Sequence, residues 1–163
     1  MNKQQLLDIV PDLSNISENH VNELHQKMDK LIADMNETMC KRSDINSLVG
    51  QENIRMMKDN HANHLRFVHS LLENFSQQVL VDTVAWVYRS YRSRGFHINY
   101  WPAQINTWIE LFKKHLSEDA VTSIYPLYKW FSISIPHFSQ MSDNELNHVQ
   151  SGLSLHNTTV NND

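Results

Sequence analysis

A chain of 163 residues, 40% hydrophobic and 20% charged with a net charge of −4, has the size and makeup of one globular domain with a real core. No window approaches the ~20 apolar residues of a membrane span, and the opening Met-Asn-Lys-Gln-Gln-Leu-Leu-Asp carries no signal-peptide core. The single cysteine, Cys40, cannot close an internal disulfide, so the predicted setting is cytoplasmic.

Charge is unevenly spread. Residues 1–60 hold ten acids against seven Lys and Arg, 61–138 hold five against seven, and 139–163 hold three acids and no Lys or Arg. This balance gives no general case for a nucleic-acid partner, which wants a strongly basic face. All aromatic residues fall between Phe67 and Phe138, and because rings bury the most area per side chain, the core is expected there.

In chain order, residues 1–16 carry two short apolar clusters, Leu6–Leu7 and Ile9–Val10, interrupted by Pro11. They read equally as a docked arm or a frayed tail. Ser17-Glu18-Asn19 is a helix start, with a capping hydroxyl and an acid in the first turn. Val21, Leu24, Met28, Leu31 and Met35 then follow at three- and four-residue steps, the seam of one helix. The seam has two readings: one face of a bundle, or a self-pairing homodimer helix. It is too short for the three or so heptads of a true coiled coil.

Cys40 to Asp44 predicts a break capped by Ser43 or Asp44. Ile54, Met57, His61, His64, Leu65, Val68, Leu72 and Phe75 mark the next helical stripe, and Val79, Leu80, Val84, Val87 and Tyr91 another. The second ends in Arg89, Arg92 and Arg94 before Gly95, cations followed by glycine being a C-terminal stop. Pro102 suits the first turn of a helix with Ile105, Trp108, Ile109, Phe112 and Leu116 on one face. Ser117-Glu118-Asp119 starts the last core helix, with a kink or break predicted near Tyr125 because of Pro126, and an end at Pro136. Residues 139–163 are a polar tail in which Ser142-Asp143-Asn144-Glu145 matches a capping box for one short further helix.

Few residues gather into chemistry. His61, His64 and His69 are the densest of ten histidines, yet no four-ligand set or H-E-x-x-H accompanies them, and no metal site is expected. A haem could use one axial histidine, with His64, His69 or His97 as candidates. Arg89, Arg92 and Arg94, interleaved with Tyr88 and Tyr91, could grip an anion or an acidic partner; the bland alternative is a solvated helix end. Gly50, Gly95 and Gly152 are isolated, so no phosphate loop exists, and there is no G-x-S-x-G elbow. No catalytic residue is assigned. Trp86, Tyr91, Trp108 and Phe112 are the candidate walls of an aromatic pocket.

The segments His64-Leu65-Arg66-Phe67, Asp82-Thr83-Val84-Ala85-Trp86-Val87 and Arg92-Ser93-Arg94-Gly95-Phe96, continuing to Trp108-Ile109 and Leu116, resemble an all-helical, globin-like sensor module. Such modules occur in bacterial cobalamin-binding regulators and in stressosome sensor proteins. The likeness spans roughly residues 61–138. It implies a sensing bundle without activity of its own, with haem optional. Since only a polar tail follows Phe138 in this sequence, it also implies output through a protein partner.

The expected fold is all-α, one bundle of five or six helices over residues 17–138. The expected function is regulatory or sensory, with no cofactor. The alternatives are a haem- or tetrapyrrole-binding sensor and a structural homodimer.

Overall fold

The first long helix forms because its apolar residues recur on one face. In the computed structural model, which describes residues 1–158 with side chains to 149 apart from Leu146, that helix is α2, Glu18–Cys40. Before it lies α1, Lys3–Asp8. After it come α3, Ile45–Val49; a 3₁₀ turn, Gln51–Asn53; α4, Ile54–Glu73; α5, Gln77–Ser93; α6, Tyr100–His115; and α7, Glu118–Thr158. The described residues are all-α, with no strand.

The seam of α2 is buried by its own chain. Val21, Leu24, Met28, Leu31 and Met35 all lie in the core, and Met39 extends the row. α2 packs closely against α4, α6 and α7. The homodimer reading of the seam is thereby corrected: its apolar side chains are already covered, so none is left to pair with a second copy.

The N-terminal arm is docked. Leu6, Val10 and Leu13 are buried in the common core. The Trp130 indole Nε1 donates to the Leu6 carbonyl at 3.2 Å, and Lys3 pairs with Asp82 of α5. A capping box of Asn2 and Gln5 closes the first turn of α1.

Two glycines set the turns at one end of the bundle. Gly50 at φ +85° and Gly95 at φ +97° occupy the left-handed region that other residues avoid. Asn53 ties them together, its Nδ2 donating to Val49 O at 2.8 Å and to Arg94 O at 2.9 Å. The chain between Ile45 and Glu73 is thus divided at Gly50 into α3 and, after the 3₁₀ turn, α4.

The largest correction concerns α7. Pro126 and Pro136 both lie inside one helix that runs from Glu118 through the residues expected to restart at Ser142. Each proline removes one backbone donor, but Ala120, Ile124, Leu127, Tyr128, Trp130, Phe131, Ile135 and Phe138 are buried on both sides of them. Tertiary packing of that face outweighs the local cost. Hydroxyls of Thr122, Ser123 and Ser132 also donate to carbonyls four residues earlier.

Candidate functional site

α4 and α5 are consecutive, yet they are not one of the closely packed helix pairs, which are α2 with α4, α6 and α7, α5 with α1 and α7, and α6 with α7. A cavity of about 250 Å³ opens where α4, α5 and α6 stand apart, floored by Phe131 of α7. Large rings account for the gap. Phe67, Trp86, Tyr88, Tyr91 and Trp101 line it, and rigid rings meeting at angles leave space that flexible chains would fill. Tyr88 stacks on Trp101 with centroids 4.5 Å apart, and Tyr91 meets Trp101 edge-on at 5.8 Å.

The mouth lies between α4 and α5. Trp86, 57% exposed, and Asn63, also exposed, belong to the lining. The inner end is polar and buried. Tyr100 OH donates to Asn60 Oδ1 at 2.9 Å, and Gln104 Nε2 donates to the same oxygen at 2.6 Å and to Tyr100 OH at 3.2 Å. Asn60 and Gln104 are 5% and 1% exposed. This triangle uses up Asn60 Oδ1 and Gln104 Nε2. Among the described residues, Asn60 Nδ2 and Gln104 Oε1 have no partner, and neither is a sealed, orphaned atom. Both residues line the cavity, so a donor and an acceptor remain available to it.

His64 forms another part of the wall. Its ring stacks on Trp108 at 5.5 Å and 12°, and its Nε2 shares a 2.7 Å hydrogen bond with Tyr128 OH. Burial lowers its pKa to about 3, so it is neutral at pH 7. Next to it His61 is also lowered to about 3, first by burial and then by His64; its Nδ1 bonds Asn36 Oδ1 at 2.7 Å. Burial likewise raises Tyr88 well above the ordinary phenol value. Among the described residues, no Asp, Glu, Lys or Arg lines the cavity.

The residues expected from the sequence are divided by the fold. Trp86 and Tyr91 line the cavity, whereas Trp108 and Phe112 lie one and two turns further along α6 in solid core. There Trp108 stacks on Phe112, which meets Tyr128 edge-on at 4.8 Å. The arginines scatter. Arg89 pairs with Glu145 at 3.0 Å and Arg92 with Asp143 at 2.5 Å, both acids on α7, while Arg94 Nη1 rests near Met56 Sδ at 3.9 Å. They form no common anion-gripping cluster, because α7 continues past Phe138 and brings its acids alongside α5. The three histidines are equally separate. His69 pairs with Glu73 at 3.0 Å and lies 4.8 Å from the His25 ring, and His97 Nδ1 accepts from the Asn99 backbone N–H. A haem at His64 would have to displace Tyr128 from Nε2 and widen a cavity much smaller than itself.

Asn60, Gln104 and Trp101 were not singled out by the sequence, and Tyr88 was named only beside the arginines. One signal was present: Tyr100, Gln104 and Trp108 recur every fourth residue on α6, placing an amide inside an otherwise aromatic row. Comparison of the chain with known families, with characterised proteins and with solved structures finds no match.

Proposed function

We propose that this chain is a non-enzymatic regulatory or sensory protein that takes up a small, uncharged molecule in the α4–α5–α6 cavity and passes the event to a protein partner. The observation that carries this reading is the cavity itself: apolar and aromatic over most of its wall, open at Trp86, with a few convergent polar groups at its inner end. That is the makeup of a small-molecule site. An engineered cavity of ~150 Å³ accepts benzene, so about 250 Å³ suits two fused rings.

The polar groups favour binding over catalysis. Two carboxamides neither give nor take protons at neutral pH. An imidazole lowered to about 3 is a poor general base there. The resemblance to helical sensor modules points the same way, and six residues of the segments that carry it, His64, Phe67, Thr83, Val84, Trp86 and Val87, line the cavity. Occupancy would press on α5, which stands away from α4 and is tied to α7 by Arg89–Glu145 and Arg92–Asp143. A change in its position is what a partner could read.

The test is a titration of isotope-labelled protein with naphthalene, followed by amide and indole resonances. The reading expects saturable shifts centred on Phe67, Trp86, Tyr88 and Trp101. No saturable shift at these residues would reject it.

A further inference from the structure

The cavity selects by hydrogen bonding as well as by shape, and this step rests on the small-molecule reading above. Three atoms of its inner end are committed: Asn60 Oδ1 accepts two hydrogen bonds, and Gln104 Nε2 gives its two hydrogens to Asn60 Oδ1 and Tyr100 OH. The committed bonds decide what is left. Asn60 keeps its N–H donors uncommitted and Gln104 its carbonyl acceptor, and both residues line the cavity. The two amides are locked relative to one another by the 2.6 Å bond between them. Turning either amide alone would set two acceptors or two donors against each other; turning both together keeps the 2.6 Å bond and only exchanges their roles, so either way the pair retains one donor group and one acceptor.

Both side chains are more than nine-tenths buried. An occupant that displaced water without meeting these groups would strand them, so one that meets both is favoured. Around them stand the faces and edges of Tyr88, Trp101 and Phe67, which suit a flat molecule. Among the described residues no Asp, Glu, Lys or Arg lines the cavity to compensate a charge, and a bare ion there would carry a large desolvation cost.

We infer that the occupant is an uncharged planar heterocycle presenting a hydrogen-bond acceptor and an N–H donor on one edge, as a lactam or an amide-bearing base does, paired with the donor and the acceptor that Asn60 and Gln104 leave uncommitted. Sites built to pair such groups discriminate strongly against analogues lacking them, because the protein's own polar atoms are then stranded.

Four probes of matched size separate the possibilities: 2-quinolone, 1-methyl-2-quinolone with its donor blocked, naphthalene with neither group, and 2-naphthoate with a charge. Affinities are read from indole and amide shifts in the intact chain. The expected result is that 2-quinolone binds about tenfold or more tighter than the other three. Gln104→Met, similar in length and free of polar hydrogens, is expected to erase that preference while keeping naphthalene binding. Because the four-probe comparison uses unaltered protein, it stands even if that variant folds poorly. Naphthalene bound as tightly as 2-quinolone would overturn the hydrogen-bonding inference and leave the cavity reading intact. Naphthoate bound as tightly would overturn neutrality. If none of the four binds, both the inference and the reading beneath it fall.

Discussion

The two sides of α4 are built from different materials. Toward α2 it offers Met57, Leu65 and Val68, all fully buried, and His61, whose Nδ1 reaches Asn36. α2 answers with Leu24, Leu31 and Met35, also fully buried. Leucine and methionine bend to fill gaps, and this side is solid. Toward α5 the same helix offers Asn60, His64 and Phe67, and α5 answers with Trp86, Tyr88 and Tyr91. Stiff rings hold the backbones apart there, and about 250 Å³ stays unfilled. The difference teaches that an aromatic-rich core is not by itself a tight one. The aliphatic side supplies stability, and the ring side supplies a place for something else.

The sharpest way to break this comparison is truncation on each side. Leu31→Ala should cost about 3–5 kcal/mol, since a fully packed site cannot collapse around the loss. Ile105→Ala, at the cavity wall, should cost about 2 kcal/mol because part of its surface already lacks neighbours. Guanidinium unfolding of both variants checks this, and equal losses would erase the distinction.

Acid should act on the boundary between the sides. His61 and His64 have folded pKa values of about 3 against 6.5 when free. The unfolded chain therefore takes up their protons first as pH falls. Their neutral burial costs nothing above pH 6.5, and stability declines progressively from there toward pH 3. At pH 5 each should remove roughly 2 kcal/mol. His64→Phe should cut the stability lost between pH 7 and pH 5 by about that amount; an unchanged pH dependence would mean the imidazole is not held neutral.

Enlargement sharpens the same contrast. Val68→Leu adds a methylene to a fully buried position and should cost about 1–3 kcal/mol. Val84→Leu adds the same methylene at the cavity wall and should change stability by less than ~1 kcal/mol, while weakening naphthalene binding. The smallest effect is expected at the exposed ion pair: Arg89→Ala should cost ~0.2–1 kcal/mol, and less at high salt.

Much of the fold was legible because local signals agreed with packing. The start at Ser17, the stop at Gly95 and the cap at Ser117 all lie at helix ends, and the seam of α2 is the buried row its spacing indicated. α7 was illegible because a local rule lost. Proline's lost donor is read from one residue, whereas the burial of Trp130, Phe131 and Phe138 that outweighs it is set by other helices. The cavity was half legible for a similar reason. Periodicity shows that Trp86 and Trp108 belong to apolar stripes, but whether a stripe meets another ring or a void depends on helix separation. Gln104 and Asn60 were passed over because an amide on an apolar stripe is ordinarily a small irregularity; only the bond between them shows that one donor and one acceptor remain.

The chain carries its own reporters for the central claim, since its four indoles occupy different settings. Trp86 and Trp101 line the cavity, Trp108 lies behind it against His64, and Trp130 is buried with its N–H bonded to Leu6. Following the four indole N–H resonances while 2-quinolone is added is therefore the most direct measurement. The account predicts saturable movement of the Trp86 and Trp101 signals with Trp130 unmoved. Signals that all stay fixed, or that all drift together without saturating, would contradict it.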